Sequence, residues 1–175
     1  FLINCSGLYS DKIAEKSGLT RRARIIPFRG EYYKLKGDAK KLVNNLIYPV
    51  PNPNYPFLGV HFTRTINGEV EAGPNAVLAW SREGYKKRNI KFDEIWDYIS
   101  YKGFWKMSKK YWKTGLEEYH RSFSKKAFLK SLQKLIPSIS IGDIEKSPSG
   151  VRAQALGVNG VLVDDFLIDH SPNMI

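Results

Sequence analysis

Apolar and polar residues alternate most clearly over 57–65, where Leu58, Val60 and Phe62 fall on one face of an extended chain and Gly59, His61 and Thr63 on the other. An Ile66-Asn67-Gly68 turn and a second short strand at 69–72 follow, and Asn-Gly between two such runs is a strong hairpin signal. Upstream, residues 1–3 read as a strand, 4–7 as a tight turn, and Ser10 as the N-cap of a short helix with Asp11 in its first turn and Gly18 at its stop. Residues 31–35 and 46–50 read as further strands, with Pro27 at a strand start or edge, and 48–56 as a proline-studded loop.

The period then changes. Phe92, Ile95, Trp96 and Ile99 recur at i, i+3, i+4 and i+7, one stripe of an amphipathic helix. Phe104, Met107 and Tyr111 continue a stripe until Thr114-Gly115, and two more helical segments carry Phe128, Leu132, Leu135 and Ile136 before Pro137 ends them. A strand over 149–155 carries Arg152 opposite Val151, and Asn159-Gly160 is another tight turn. Strands at both ends with helices between predict an α+β domain: a mixed, mainly antiparallel sheet covered on one face by a helical layer.

Composition narrows the class. A mean hydropathy of -0.38 and 42% hydrophobic residues describe an ordinary globular chain of 175 residues. No apolar run approaches the ~20 residues needed to cross a bilayer. The single cysteine, Cys5, excludes an internal disulfide and fits a reducing compartment, so a cytoplasmic location is expected. The first residue is not Met and the last is the apolar Ile175, which suggests a piece of a longer protein. Much of the +11 charge sits between 101 and 134, where Glu117 and Glu118 are the acids. Such a patch suits an anionic membrane surface, nucleic acid, or simply solvated helix faces. Nothing in the sequence speaks to oligomeric state.

Glycine-rich phosphate loops, HExxH, CxxC and G-x-S-x-G are absent, and no set of carboxylates, cysteines and histidines has metal-ligand spacing. What remains is His61, Arg152, Arg29 and Asn75, with Tyr32, Tyr33 and Tyr48. An arginine can offer a planar, two-pronged donor to a carboxylate, and a histidine can take a proton near neutral pH. Together they suit a small acid that must lose a proton. The same alternation also describes a sheet with one wet face on which His61 is merely solvated.

The stretches LIYPVPNPNYPFLGVHFTRTINGEVEAGPNAVLAWSREGY, RIIPFRGEYYKL and SGVRAQAL followed by DDF resemble the L-2-hydroxyglutarate dehydrogenase/oxidase family, within the D-amino-acid-oxidase-like superfamily. The likeness runs from Asn4 nearly to the end and is loosest in the helical third. It implies an FAD enzyme oxidising L-2-hydroxyglutarate, a small dicarboxylate, to 2-oxoglutarate, with electrons leaving for a membrane quinone pool or oxygen. A 2-amino acid or glycerol 3-phosphate is the alternative substrate, and a non-catalytic basic module that binds nucleic acid or membrane is the alternative class. It implies one substrate-binding domain over 1–175, whose edges 1–20 and 149–175 belong to a truncated FAD-binding module. Half of the cofactor site being elsewhere, no FAD or activity is expected of the piece alone.

Residue by residue, the resemblance puts Arg152 at a Gly-x-Arg carboxylate clamp and His61 at the base that takes the hydroxyl proton. Thr63, Arg64 and Asn75 are further pocket candidates; Arg64 is equally a surface charge. Arg29-Gly30 matches a Pro-x-Arg-Gly turn that approaches the flavin, with an ion pair as the other reading of Arg29. Ser6-Gly7 matches a turn beside the cofactor. The lysine-rich helices suit peripheral attachment to the anionic inner membrane.

Overall fold

The structure, a computed structural model, describes residues 1–51 and 57–172. Most of the proline loop expected over 48–56, and Ile175, lie outside them. The architecture is α+β. A helix α1 (Ser10–Lys16) precedes the long strand β1 (Ala23–Leu35); β2 (His61–Arg64), β3 (Val70–Gly73) and β4 (Val77–Leu78) follow. Helices α2 (Phe92–Ile99), α3 (Lys102–Phe123) and α4 (Lys125–Gln133) come next, then β5 (Ile144–Gly157). The mainly antiparallel sheet runs β2-β3-β1-β4, and β5 also pairs with β1. No helix among the described residues is long and apolar enough to cross a membrane.

Two compact units divide the chain. The first comprises Phe1–Phe28, Leu78–Tyr111 and Val151–Ile175; the second comprises Arg29–Val77 and Trp112–Gly150. The core of the first is Ile26, Tyr98, Phe104, Met107 and Leu156. Tyr98 is buried without an orphaned hydroxyl because its OH donates to the Ala79 carbonyl at 3.3 Å. The second unit buries the apolar face of its hairpin under α4: Tyr33, Phe62, Val70 and Ala72 meet Phe128 and Leu132. The Tyr33 and Phe128 rings stand 4.7 Å apart. Ser124 caps α4, its side chain accepting from the Ala127 amide at 3.2 Å.

The hairpin forms in the expected register, Thr63 opposite Glu71 and Arg64 opposite Val70, with Gly68 closing the loop at φ +77°. Its first strand is shorter than expected, starting at His61 rather than 57, and 46–50 contributes only the bridge Ile47–Phe62. Residues 1–3 form no strand beyond a bridge at Leu2.

Four local expectations are met only in part or not at all. Ser10 is not the cap of α1 but its first residue; its hydroxyl donates to the Gly7 carbonyl at 2.9 Å. Pro27 sits within β1 rather than at its start; it brings no N–H to the ladder, and its carbonyl accepts from the Ala79 amide at 2.9 Å. The stripe of α2 is only half turned inward: Ile95 and Ile99 pack, partly buried, against the core. Phe92 and Trp96 are 82% and 68% exposed, whereas Glu94 and Tyr98 are buried. The helical irregularity of α3 falls at Tyr111 (φ -114°, ψ 16°), and the helix passes through Gly115 without a break.

Candidate functional site

In the first unit, the turn 4–7 is held by one side chain. Asn4 Nδ2 donates to the Ser10 carbonyl at 2.8 Å, and its Oδ1 accepts from the Ser6 amide at 3.2 Å. Gly7 takes φ +53°, and the position its Cβ would occupy is open. A cavity of about 700 Å³ lies beside this turn, lined by Asn4, Gly7, Ser10 and Asp11 on one side and by Ala153 and Ala155 on another. That size is typical of a small-molecule pocket. Ser6 and Gly7 are therefore together, on an exposed turn.

A buried ion network fixes the wall of this cavity. Arg82 is 2% exposed; its Nη1 is 2.6 Å from Asp11 Oδ1 and its Nη2 is 2.9 Å from Asp97 Oδ2. Arg21 joins the same carboxylates at 2.7 and 3.3 Å, and the Ile25 amide donates to Asp11 at 3.1 Å. Burial alone would push the Asp11 carboxyl up, but hydrogen bonds from Arg82, Ile25 and Arg21 outweigh it and hold it below the usual carboxylate range. Asp97 is lowered the same way, burial being overcome by Arg21 and Arg82. Asp11 thus ties α1 to β1 and to the 81–89 segment, a larger task than complementing a helix dipole. Arg152 belongs to this unit and is exposed on β5.

The second unit assembles a different polar cluster. Arg29 and Glu31 are two apart on β1, so they share a face. Arg29, 3% exposed, brings Nε and Nη2 each within 3.2 Å of Glu31 Oε1. Ser122 Oγ donates to the same oxygen at 2.9 Å. Asn75 closes the group: its Oδ1 accepts from the Glu31 amide at 2.7 Å while its Nδ2 donates to Glu31 Oε2 at 3.1 Å. One turn back on α3, Glu118 accepts from the Ala76 amide at 2.9 Å and pairs with Arg121. Burial pushes the Tyr119 phenol up, against the opposing pull of Arg29.

This geometry gives the expected residues distinct places. Arg29 is in an ion pair with Glu31, and Asn75 has both ends of its amide on Glu31. Gly30 has a reason within the unit: a Cβ there would stand 2.8 Å from the Pro74 side chain. Arg64 donates to the Val43 carbonyl at 3.0 Å, a use for its charge on the backbone. Thr63 and His61 share the face of β2 opposite Phe62. His61 Nδ1 lies 3.1 Å from the Gly59 carbonyl, and its ring stacks on Tyr48. Sequence reasoning did not find Glu31, Glu118, Ser122 or the Arg82 network. The i, i+2 spacing of Arg29 and Glu31 was the one available signal; Arg82 lies in a charged segment that resembles any surface loop.

The sequence matches a known class over residues 1–175. The chain belongs to the FAD dependent oxidoreductase family, which it matches over residues 1–175. It is 58% identical to the L-2-hydroxyglutarate dehydrogenase of Indibacter alkaliphilus over 99% of its length and 44% of that protein's. It is 51% identical to the mitochondrial L-2-hydroxyglutarate dehydrogenase of Nematostella vectensis, covering 97% of this chain and 37% of that one. The mitochondrial human protein of that name is 46% identical over 97% of this chain and 36% of its own. The chain thus spans less than half the length of these curated relatives.

The residues of the first unit fit one edge of the family's cofactor. A short turn with an open glycine beside a cavity of ligand size suits a bulky, hydrogen-bonding group. In the second unit the missing side chain of Gly30 is matched by Pro74 rather than by a vacant cradle.

Proposed function

We propose that the protein carrying this chain oxidises the 2-hydroxyl of L-2-hydroxyglutarate to the ketone of 2-oxoglutarate, and that this chain is its substrate-binding part. Residues 1–20 and 149–175 then belong to the cofactor-binding module. The observation that carries the reading is identity of 44–58% over 96–99% of the chain to proteins bearing that name in bacteria and animals. FAD, when bound, supplies the hydride acceptor.

The chain's own residues do the rest. Arg152 grips a carboxylate of the substrate with its planar guanidinium. His61 accepts the hydroxyl proton as the C2–H bond breaks, so that the C2–O bond becomes a carbonyl. Thr63, beside His61 on the same strand face, donates to the substrate. Arg64 adds charge to the approach rather than a second clamp. Arg29, Asn75 and Gly30 hold the turn 73–76 against β1. Ser6 and Gly7 face the cofactor. The basic stretch 101–134 holds the protein against anionic lipid, where each Lys or Arg close to the surface contributes about 1 kcal/mol. Equal binding to neutral and anionic vesicles would remove that last element.

The test is turnover by the full-length protein. L-2-hydroxyglutarate should be oxidised with far higher kcat/KM than its D enantiomer, glycerol 3-phosphate or 2-amino acids. A preference for any of these would overturn the substrate assignment.

A further inference from the structure

We propose that Gly59 and Tyr48 hold His61 as the tautomer protonated on Nδ1, leaving Nε2 as the nitrogen that receives the proton, with Tyr48 a positioning residue. The inference rests on the reading of His61 as proton acceptor and adds which atom accepts and what aims it.

The placement follows from backbone register. Ile47 and Phe62 exchange both main-chain hydrogen bonds, Ile47 N to Phe62 O at 3.0 Å and Phe62 N to Ile47 O at 2.9 Å. In antiparallel pairing the next residues along, Tyr48 and His61, form the pair without hydrogen bonds, where backbones and side chains come closest. Phe62 is fully buried, so alternation sends His61 to the other face of the hairpin, and Tyr48 with it. The two rings lie 4.3 Å apart at 21°, a near-parallel stack. Turning the imidazole out of that plane would break the stack, so Tyr48 fixes the plane of the ring, and the Gly59 contact fixes which edge carries Nδ1.

The proton's location follows from chemistry. Nδ1 is 3.1 Å from the Gly59 carbonyl oxygen, and a carbonyl can only accept. Nδ1 therefore carries a hydrogen, and in the neutral ring the lone pair is on Nε2. Free histidine favours the opposite tautomer, so the contact is a selection and not a default. Gly59 has φ +25°, a conformation that side chains disfavour, and its carbonyl is the one that meets the ring. Hydride abstraction from an alcohol needs the departing proton to find a fixed acceptor in the same step. A ring clamped on one face and hydrogen-bonded at one nitrogen provides it.

The test has a spectroscopic and a kinetic arm, both on the full-length protein. With ¹⁵N only in histidine, recorded above the ordinary histidine titration range, the signals lost in His61→Asn identify this ring. They should show a protonated Nδ1 and a bare Nε2, and Tyr48→Leu should shift them toward a tautomer mixture. A protonated Nε2 with a bare Nδ1 in the wild type would overturn the assignment. In turnover, Tyr48→Phe should stay within about twofold of wild type. Tyr48→Leu should lower kcat by about three- to tenfold, the worth of an aromatic stack, with KM nearly unchanged. A Leu variant as fast as wild type, or a Phe variant as slow as Leu, would overturn the positioning role. Should wild type fail to oxidise L-2-hydroxyglutarate, the substrate reading has failed and the nitrogen signals alone decide this one.

Discussion

Replacing Arg82 by Met removes the charge at the centre of the first unit while keeping an apolar stem of similar reach. Arg82 and Asp11 have side chains only 2% and 4% exposed, so solvent cannot take over the lost contacts. Removing one partner of a buried ion pair costs ~3–5 kcal/mol, because the other charge is left buried. Arg21 remains on Asp11 and Asp97 at 2.7 and 3.3 Å, which places the expected loss near the lower bound. The full-length relatives are more than twice this chain's length, so at ~1–2 °C per kcal/mol a loss of about 3 kcal/mol lowers the melting temperature by roughly 3–6 °C near neutral pH. The sign with pH follows from the lowered carboxyls. Their contribution is present above the unfolded carboxylate value of about 4 and is lost as pH falls through the still lower folded values. Without Arg82, burial dominates and the Asp11 carboxyl moves up, so acid neutralises the stranded charge. The gap between wild type and Arg82→Met should therefore narrow toward pH 4, and Asp11→Asn should partly restore the Met variant. Calorimetry of the full-length protein checks both. A shift below about 2 °C, or a gap that widens on acidification, would refute the reasoning.

Gly30→Ala should cost about 1–3 kcal/mol, since its Cβ would stand 2.8 Å from the Pro74 side chain; thermal unfolding reads it, and an unchanged melting temperature would show that the turn can shift. Asn75→Ala leaves the Glu31 amide without its 2.7 Å acceptor and should cost about 1–3 kcal/mol, with Asn75→Asp recovering less than half because its charge meets Glu31. Arg152→Ala should raise KM for L-2-hydroxyglutarate roughly tenfold to a hundredfold, as expected for losing hydrogen bonds to a charged group; Arg152→Lys should recover only part, lacking the planar fork. Steady-state kinetics on the full-length protein reads this, and an unchanged KM would remove the clamp.

The sequence carried the hairpin well because its two determinants are local. Alternation sets the buried face of β2, and Asn67-Gly68 sets the turn, so Phe62 and Val70 are buried as their positions require. The family likeness was legible for a similar reason: it sits in short local stretches, such as the turn 4–7 and the segment 27–30 of β1. The stripe on α2 held at Ile95 and Ile99 and misled at Phe92 and Trp96, because Glu94 and Tyr98 take the most buried positions through specific polar partners. Glu94 accepts from the Arg82 amide, and Tyr98 donates to Ala79. Periodicity counts apolar residues and is blind to a carboxylate that meets a backbone amide twelve residues away. Arg82 was hidden for a related reason. A loop arginine becomes a buried hub only when Asp11 and Asp97, 71 and 15 residues distant, arrive beside it. Gly30 shows the converse. Its motif suggested a cofactor, yet Pro74 alone is sufficient cause for the missing side chain.

The most direct measurement of the central claim is anaerobic mixing of the full-length, flavin-loaded protein with L-2-hydroxyglutarate. The visible flavin absorbance should bleach as 2-oxoglutarate forms in equal amount, and His61→Asn should slow that bleaching by about 10²–10⁴-fold, the worth of a positioned general base. A flavin that stays oxidised with L-2-hydroxyglutarate, or one that bleaches as fast in His61→Asn as in wild type, would contradict the account.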